Sequence, residues 1–176
     1  MPETDDSQKL THLDGEGHAH MVDVSEKSVT ARRAVAVARV HMSAEAMTAL
    51  RSGSVPKGDA LAVARIAGIQ ATKRTAEWIP LCHPLPLDSV RVEFDVQPQS
   101  GSVTVRCEAR ARARTGVEME ALVGASAAAL ALYDMLKAVD RAMVIDEVRV
   151  DRKEGGRRGD FVHPRAAGDA RPGDGG

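Results

Sequence analysis

The sequence predicts an α+β fold in which an antiparallel sheet carries its helices on one face. Apolar and polar residues alternate through Val90–Val96 and again through Val103–Ala109, which is the pattern of β-strands. A short turn at Gln99–Gly101 joins these two segments, so they form a hairpin. The segment Glu120–Arg141 is rich in Ala, Leu and Met and predicts a long helix.

The remaining elements complete the order of the fold. Ser28–Met42 is a valine-containing strand, and Ala44–Ser52 is a short helix. Ala60–Arg74 predicts a second helix, with Asp59 as its N-cap, and Val144–Val150 predicts the last strand. With the short helix taken as an insertion, the order is βαββαβ, a ferredoxin-like arrangement. Because the helices cover only one face of the sheet, we expect the other face to be covered by oligomerisation.

A single domain is expected over residues 10–163. Apolar residues make up 43% of the 176-residue chain, which is enough for a hydrophobic core. Residues 1–9 are polar, and residues 164–176 consist mainly of Gly, Ala, Pro, Asp and Arg without apolar periodicity. We expect both ends to be disordered.

Composition excludes several classes of function. The chain has 24 Lys and Arg against 25 Asp and Glu, so it lacks the basic surplus of a general nucleic-acid binder. Its cysteines, Cys82 and Cys107, suggest neither a disulfide framework nor a structural metal site, and they are too few for an iron–sulfur cluster. The first nine residues are polar and acidic, so we expect no signal peptide. We also expect no apolar segment long enough to span a bilayer. We therefore expect a cytoplasmic protein with no membrane partner.

Two lysines and one aspartate could carry acid–base chemistry. Lys57 lies in a Pro-Lys-Gly-Asp turn just before a predicted helix, whose N-terminus favours anions. Asp134 and Lys137 are spaced i,i+3, so they share one face of an otherwise apolar helix. The alternatives are a solvated lysine in a turn and an ordinary surface salt bridge.

A second group of polar residues lies where loops meet the long helix. His83 lies in a loop with three prolines, which would hold its imidazole rigidly. Its neighbour Cys82 reads more simply as a small buried residue than as a nucleophile. Glu118 and Glu120 could bind substrate amino or hydroxyl groups, or simply complement the helix dipole.

Further cations lie at Arg32, at Lys73-Arg74 and at Lys153. The glycine-rich segment Gly155–Gly159 contains two arginines and could grip an anion, although it lacks the spacing of a P-loop. The alternative is a flexible basic tail.

Taken together, these segments resemble the molybdenum cofactor biosynthesis protein C family, the cyclic pyranopterin monophosphate synthases. The matching strings occur in the family's order over about residues 10–161, and their combination is far more specific than any one of them. They are Met21–Ser25, Pro56–Asp59, Ala64–Gln70, Lys73–Thr75, Ile79–Leu85, Thr115–Leu122, Tyr133–Met135, Lys137–Val139 and Gly159–Phe161. The sequence departs from the family at Arg157-Arg158, in place of Lys-Ser, and at Val123-Gly124, in place of smaller polar residues or alanine.

The resemblance implies a lyase with a ferredoxin-like fold, assembled as a hexamer that is a trimer of dimers. Its substrate would be 3',8-cyclo-7,8-dihydro-GTP, which it would convert to cyclic pyranopterin monophosphate with release of pyrophosphate. It implies no redox cofactor and no protein-bound metal, and leaves room for Mg²⁺ bound with the triphosphate.

The resemblance also implies roles for individual residues. Lys57 and Lys137 match acid–base and phosphate-contacting lysines, and Asp134 matches the catalytic carboxylate. The matching substrate-binding positions are Leu81, Cys82, His83, Glu118, Met119, Glu120, Arg32 and Lys153.

One distance within the predicted helix bears on how the site is built. Glu118 and Asp134 are 16 residues apart (134 − 118), which is about 24 Å along a straight helix. Either Glu118 bends back in the preceding loop, or two subunits build each site; we favour the second.

Two other classes of function compete with an enzyme. A ferredoxin-like RNA-binding module would need exposed aromatic residues on its hairpin, and the chain has few aromatics. A regulatory domain that binds a small molecule without turnover would leave the acid–base residues without a purpose.

Overall fold

The computed structural model describes residues 15–157 and 159–166 and contains a five-stranded sheet with four α-helices. The strands are β1 (Thr30–His41), β2 (Ser89–Gln97), β3 (Ser102–Ala113), β4 (Val144–Glu154) and β5 (Phe161–Val162). The helices are α1 (Ala44–Ser52), α2 (Ala60–Thr72), α3 (Thr75–Trp78) and α4 (Glu118–Leu136).

The topology confirms the predicted ferredoxin-like fold. The strand order is β2-β3-β1-β4-β5, and every neighbouring pair is antiparallel. Strand β3 lies between β1 and β2, and β1 lies between β3 and β4, so the fold consists of two interlocked β-α-β units. Strand β5, which the sequence pattern did not predict, extends the sheet beyond β4.

Small side chains fill the core between the sheet and the helices. Every second residue of β1 from Ala34 to Val40 belongs to this core, and the facing residues of β3 include Val105 and Cys107. Helix α4 contributes mostly alanines to this core. Helices α2 and α4 come into close contact at Gly68 and Gly124, where a Cβ atom on either residue would overlap its neighbours. The stretch of small residues in α4 therefore serves helix packing within the chain.

The other face of the sheet carries a network of ion pairs. Arg33 pairs with Glu108 at 2.6 Å, and Asp151 pairs with both Arg106 and Arg149 at 3.1 Å. The Asp151 side chain is only 1% exposed, which shows how closely its partners enclose it. On β1 this face carries the buried Val35 and Val37 between Arg33 and Arg39, so it combines charged and apolar residues. The oligomeric state itself stays a prediction.

Several predicted boundaries are corrected by side-chain hydrogen bonds and irregular pairing. Helix α4 begins at Glu118 and ends at Leu136, not at Arg141, because the Asp140 carboxylate accepts bonds from the backbone N–H groups of Ser43 and Ala142 and draws the chain away from the helix. Helix α2 ends at Thr72 instead of Arg74. Strand β4 continues to Glu154 through two register shifts against β1.

The expected disordered ends lie largely outside the described residues. Residues 1–9 are outside them, as are residues 167–176; within 164–166, Ala166 is buried and bonds to the His163 carbonyl. Contrary to the expectation that no segment was long enough, α4 has the length and apolar composition of a membrane-spanning helix. Most of it is buried inside the protein, as in the core helix of a globular domain.

Candidate functional site

Two lysines and an aspartate meet at the C-terminal end of α4. Lys57 Nζ lies 2.7 Å from Asp134 Oδ2, and Lys137 Nζ lies 2.6 Å from Asp134 Oδ1. All three side chains are about half exposed, so a ligand could reach them from solvent. Hydrogen bonds from Lys137 and then Lys57 lower the pKa of Asp134 to about 2. We call Lys57, Asp134 and Lys137 the lysine–aspartate cluster.

Local turns bring Lys57 to this position. Gly53, in the left-handed conformation, ends α1, and a turn from Val55 to Gly58 presents Lys57 before α2 begins. Lys57 Nζ also donates to the backbone carbonyl of Asp134 at 2.9 Å. The ammonium therefore lies at the C-terminus of α4, where the helix dipole favours a cation. The sequence argument placed it at the N-terminus of α2, and the structure corrects that environment.

A second cluster lies at the opposite end of α4. Lys153 Nζ is 3.8 Å from Glu118 Oε1, and Arg32 donates from Nε and Nη2 to the carbonyls of Ala113 and Arg114, both at 3.4 Å. These residues come together because β1 begins where β3 and β4 end, and α4 begins shortly after β3. We call Arg32, Glu118 and Lys153 the mixed-charge cluster.

A cavity of about 280 Å³ adjoins this end of the helix and contains His83 and Glu120 in its lining. Glu120 is 5% exposed, and burial, with a smaller contribution from the Glu118 charge, raises its pKa. His83 Nε2 donates to the Val22 carbonyl at 2.8 Å, which fixes the ring. A buried carboxyl group and a fixed imidazole in the lining of one cavity suit recognition of a polar heterocycle.

The other predicted substrate-binding residues lie near this cavity without being among its lining residues. Leu81, Cys82 and Met119 are each partly buried. Burial and the Glu120 charge raise the pKa of the Cys82 thiol, so this cysteine has none of the character of a reactive thiolate.

Two cations in the cavity lining were noted in the sequence but not selected as site residues. Lys73 and Arg74 follow the end of α2 and line the cavity together with Thr75. The sequence signal that could have identified them is their position directly after a predicted helix. A short turn at that point places both residues in the same cavity lining as the proline-rich loop.

The two clusters are separated by the length of α4. Glu118 is the first residue of this helix and Asp134 lies in its last turn, so Glu118 does not bend back in the preceding loop. The separation along the axis is about 24 Å. Within one chain the lysine–aspartate cluster and the mixed-charge cluster therefore cannot contact one compact molecule together.

Among residues 15–157 and 159–166, no three His, Cys, Asp or Glu side chains converge in a way that could hold a metal ion. Both cysteines are free thiols. Cys107 lies in the core, where burial raises its pKa to about 11.

Comparison with known proteins gives one consistent result. The sequence model of the MoaC family matches residues 21–156. The chain is 59% identical over 155 residues to a protein of Herpetosiphon aurantiacus named cyclic pyranopterin monophosphate synthase, covering 88% of this chain and 94% of that protein. Proteins with the same name from Chloroflexus aurantiacus and Rhodopirellula baltica are 55% and 54% identical, over 89% and 87% of this chain and 96% and 93% of their own lengths. The chain belongs to the MoaC family.

Proposed function

We propose that this protein is a cyclic pyranopterin monophosphate synthase. It converts 3',8-cyclo-7,8-dihydro-GTP to cyclic pyranopterin monophosphate and releases pyrophosphate, which makes it a lyase of molybdenum cofactor biosynthesis. The observation that carries the proposal is the lysine–aspartate cluster, two ammonium groups held by one carboxylate at the end of α4. The names of similar MoaC-family proteins support the same activity.

The lysine–aspartate cluster suits a reaction in which negative charge and protons both move. Because its pKa is about 2, Asp134 is ionised at neutral pH and accepts hydrogen bonds from both lysines. A phosphate oxygen of the substrate competes with Asp134 for these ammonium groups, which stabilise the charge that develops as pyrophosphate leaves. Lys57 and Lys137 are then placed to donate or accept the protons of ring opening and closure.

The N-terminal end of α4 suits the purine-derived ring and the triphosphate of the substrate. In this proposal His83 and Glu120 bind the purine-derived ring from the cavity, with Leu81, Cys82 and Met119 beside them. Glu118 binds its amino groups, and the cations Arg32 and Lys153 face the triphosphate. Lys73 and Arg74 add positive charge to the same cavity.

We further propose that two subunits build each site, within a hexamer that is a trimer of dimers. The support is the separation of about 24 Å between the two clusters along one helix. Co-assembly of a Glu118→Ala chain with an Asp134→Ala chain tests this. If two subunits build each site, one of the two sites in a mixed dimer combines the wild-type Glu118 of one chain with the wild-type Asp134 of the other. Recovery of activity is expected, and its absence from a properly mixed hexamer would place the site within one chain.

The proposal includes a cytoplasmic location, a small-molecule substrate, and no nucleic-acid or membrane partner. It includes no redox cofactor, since the reaction rearranges bonds and releases pyrophosphate. Mg²⁺ enters only as a counter-ion of the triphosphate. Rates measured with and without EDTA test this last point: a metal-dependent shift in KM fits a counter-ion, whereas complete loss of activity at saturating substrate contradicts it.

The activity itself is tested with enzymatically prepared 3',8-cyclo-7,8-dihydro-GTP. Wild-type protein should release pyrophosphate and form the pterin product, and Lys57→Ala should lower kcat by at least about 100-fold. Arg51→Ala is the matched control, because Arg51 is an exposed cation at the end of α1 and touches neither cluster. Binding without turnover by the folded wild-type protein would instead identify a regulatory small-molecule-binding domain.

A further inference from the structure

The loop after β4 lies directly against the Arg32 side chain. A Cβ atom on Gly156 would lie 2.0 Å from Arg32 Nη1 and 3.2 Å from its Cζ. The 2.0 Å distance is incompatible with a side chain at position 156 unless the guanidinium moves, and 3.2 Å is already a tight contact. Gly156 also has φ +91°, a backbone conformation that glycine adopts at little cost. With any other residue at position 156, the Arg32 guanidinium would therefore have to leave its present position.

A second glycine has the same relation to Glu118. A Cβ atom on Gly116 would lie 1.8 Å from Glu118 Oε2 and 2.7 Å from its Cδ. Glu118 is the first residue of α4, and its carboxylate lies over Gly116, two residues earlier in the chain. Gly116 does not have a positive φ, so alanine could adopt its backbone conformation. The constraint at position 116 is therefore steric, because a methyl group there would overlap the Glu118 carboxylate.

Both glycines serve one cluster of charges. Arg32 donates to the carbonyls of Ala113 and Arg114, which lie just before Gly116 in the chain. Glu118 pairs with Lys153, which lies just before the loop that contains Gly156. A methyl group at either glycine would therefore displace one charged side chain of the mixed-charge cluster and leave the charges themselves in the chain.

We infer that Gly116 and Gly156 are positioning residues: the space that each leaves open allows the Glu118 carboxylate and the Arg32 guanidinium to adopt the geometry that receives the substrate. This inference rests on the proposed function for the identity of the substrate. A fixed guanidinium binds the triphosphate better than a mobile one, and a fixed carboxylate binds the amino groups better, because binding then costs less ordering of side chains. Within the glycine-rich loop after β4, which the sequence suggested as an anion-binding loop, Gly156 acts on the anion through Arg32.

Crystal structures of two variants test the positioning without reference to activity. In Gly156→Ala the Arg32 guanidinium should leave the Ala113 and Arg114 carbonyls, and in Gly116→Ala the Glu118 carboxylate should rotate away from Lys153. Unchanged side-chain positions in both structures would overturn the inference. The side-chain positions can be compared even if the wild-type protein shows no turnover. Absence of turnover would contradict the proposed function and would leave the inference about the two glycines to be decided by the crystal structures.

Kinetics with 3',8-cyclo-7,8-dihydro-GTP then connect position to binding. Gly156→Ala should raise KM by about tenfold with kcat within about twofold, since a displacement of about 1 Å is costly. Gly159→Ala is the matched control, because Gly159 also has positive φ (+67°) but has nothing within 4 Å of its would-be Cβ. It should leave KM within about twofold of the wild-type value.

A double-mutant cycle separates positioning from general damage. Arg32→Ala should raise KM as much as Gly156→Ala does, and the double variant should be no worse than Arg32→Ala alone. Multiplicative effects would show that Gly156 acts independently of Arg32 and would overturn the inference. If Gly156→Ala does not fold, the Arg32→Ala background should restore folding by removing the obstructing guanidinium. The pair Gly116→Ala and Glu118→Ala provides the same cycle, because Glu118→Ala removes the carboxylate that lies over Gly116.

Discussion

Replacing Gly124 with alanine tests the closest contact between α2 and α4. A Cβ atom at this position would lie 2.1 Å from Thr72 Oγ1 and 2.5 Å from Cys107 Sγ. Both residues are buried, and the Thr72 hydroxyl donates to the Gly68 carbonyl at 2.8 Å. Neither atom can move without disturbing the core, so we expect Gly124→Ala to destabilise the protein.

The size of the effect follows from three contributions. Overpacking of a well-packed core costs about 1–3 kcal/mol. Displacing the Thr72 hydroxyl from its carbonyl acceptor costs about 1 kcal/mol. Alanine is favoured over glycine within a helix by about 1 kcal/mol, which opposes the other two. The free energy of unfolding should therefore fall by about 2 kcal/mol.

Urea unfolding, followed by circular dichroism at one fixed protein concentration, measures this change. A loss of about 2 kcal/mol lowers the midpoint by about 1 M when the m-value is about 2 kcal/mol per M. Gly15→Ala is the control, because nothing lies within 4 Å of its would-be Cβ, and it should leave the midpoint unchanged. Thr72→Ala combined with Gly124→Ala should be less unstable than the sum of the single effects. An unchanged midpoint in Gly124→Ala, or strict additivity with Thr72→Ala, would refute the reasoning.

Three further expectations concern individual side chains. The folded-state pKa of Asp134 is about 2, below its ordinary value of 3.8. Its ion pairs should therefore contribute fully to the stability of the fold above pH 3.8, and this contribution should be lost as the pH falls through about 2. A carboxyl NMR titration with a midpoint at or above 3.8 would contradict this. Asp151→Ala should lower the free energy of unfolding by about 3 kcal/mol in urea titrations, because it removes a buried carboxylate from two arginines. Arg165→Ala, at an exposed ion pair, should lower it by less than about 1 kcal/mol. Equal effects of the two substitutions would argue against the buried network. Iodoacetamide at pH 8 should modify Cys82 before Cys107, whose burial raises its pKa to about 11, and mass spectrometry that finds the reverse order would show that the core opens at Cys107.

Periodicity in the sequence was enough to predict most of the fold. Strands β2 and β3 each have one face in the core, so apolar residues recur at every second position, whereas β1 is apolar without a break from Ala34 to Ala38 and reads as a strand from its valines. The end of β4 could not be predicted this way, because its last residues, Asp151–Glu154, are charged and pair with β1 through irregular register. The end of α4 depends on Asp140, whose carboxylate bonds to a residue nearly 100 positions earlier, Ser43.

The candidate site was predictable only in part from local spacing. Asp134 and Lys137 are three residues apart, so helix geometry alone predicted their contact. Lys57 lies 77 residues before Asp134, and no local pattern could join them. Resemblance to a family grouped these residues by role, and the distances between them came from the fold. The positions of Gly116 and Gly156 against charged side chains depend on side-chain conformation, which no sequence pattern expresses.

The interlocked order of the strands has a consequence for how the chain folds as it is synthesised. Strand β1 is made first, but its partners are β3 and β4, and Arg33 meets Glu108 and Glu154 only after 75 and 121 further residues. The central strand must therefore remain unpaired on both edges while most of the chain is still being made. Such non-local pairing slows folding and exposes strand edges to wrong partners. The hairpin of β2 and β3, which needs no distant partner, is the part of the sheet that can form early, and β1 then joins it at the hairpin's β3 edge.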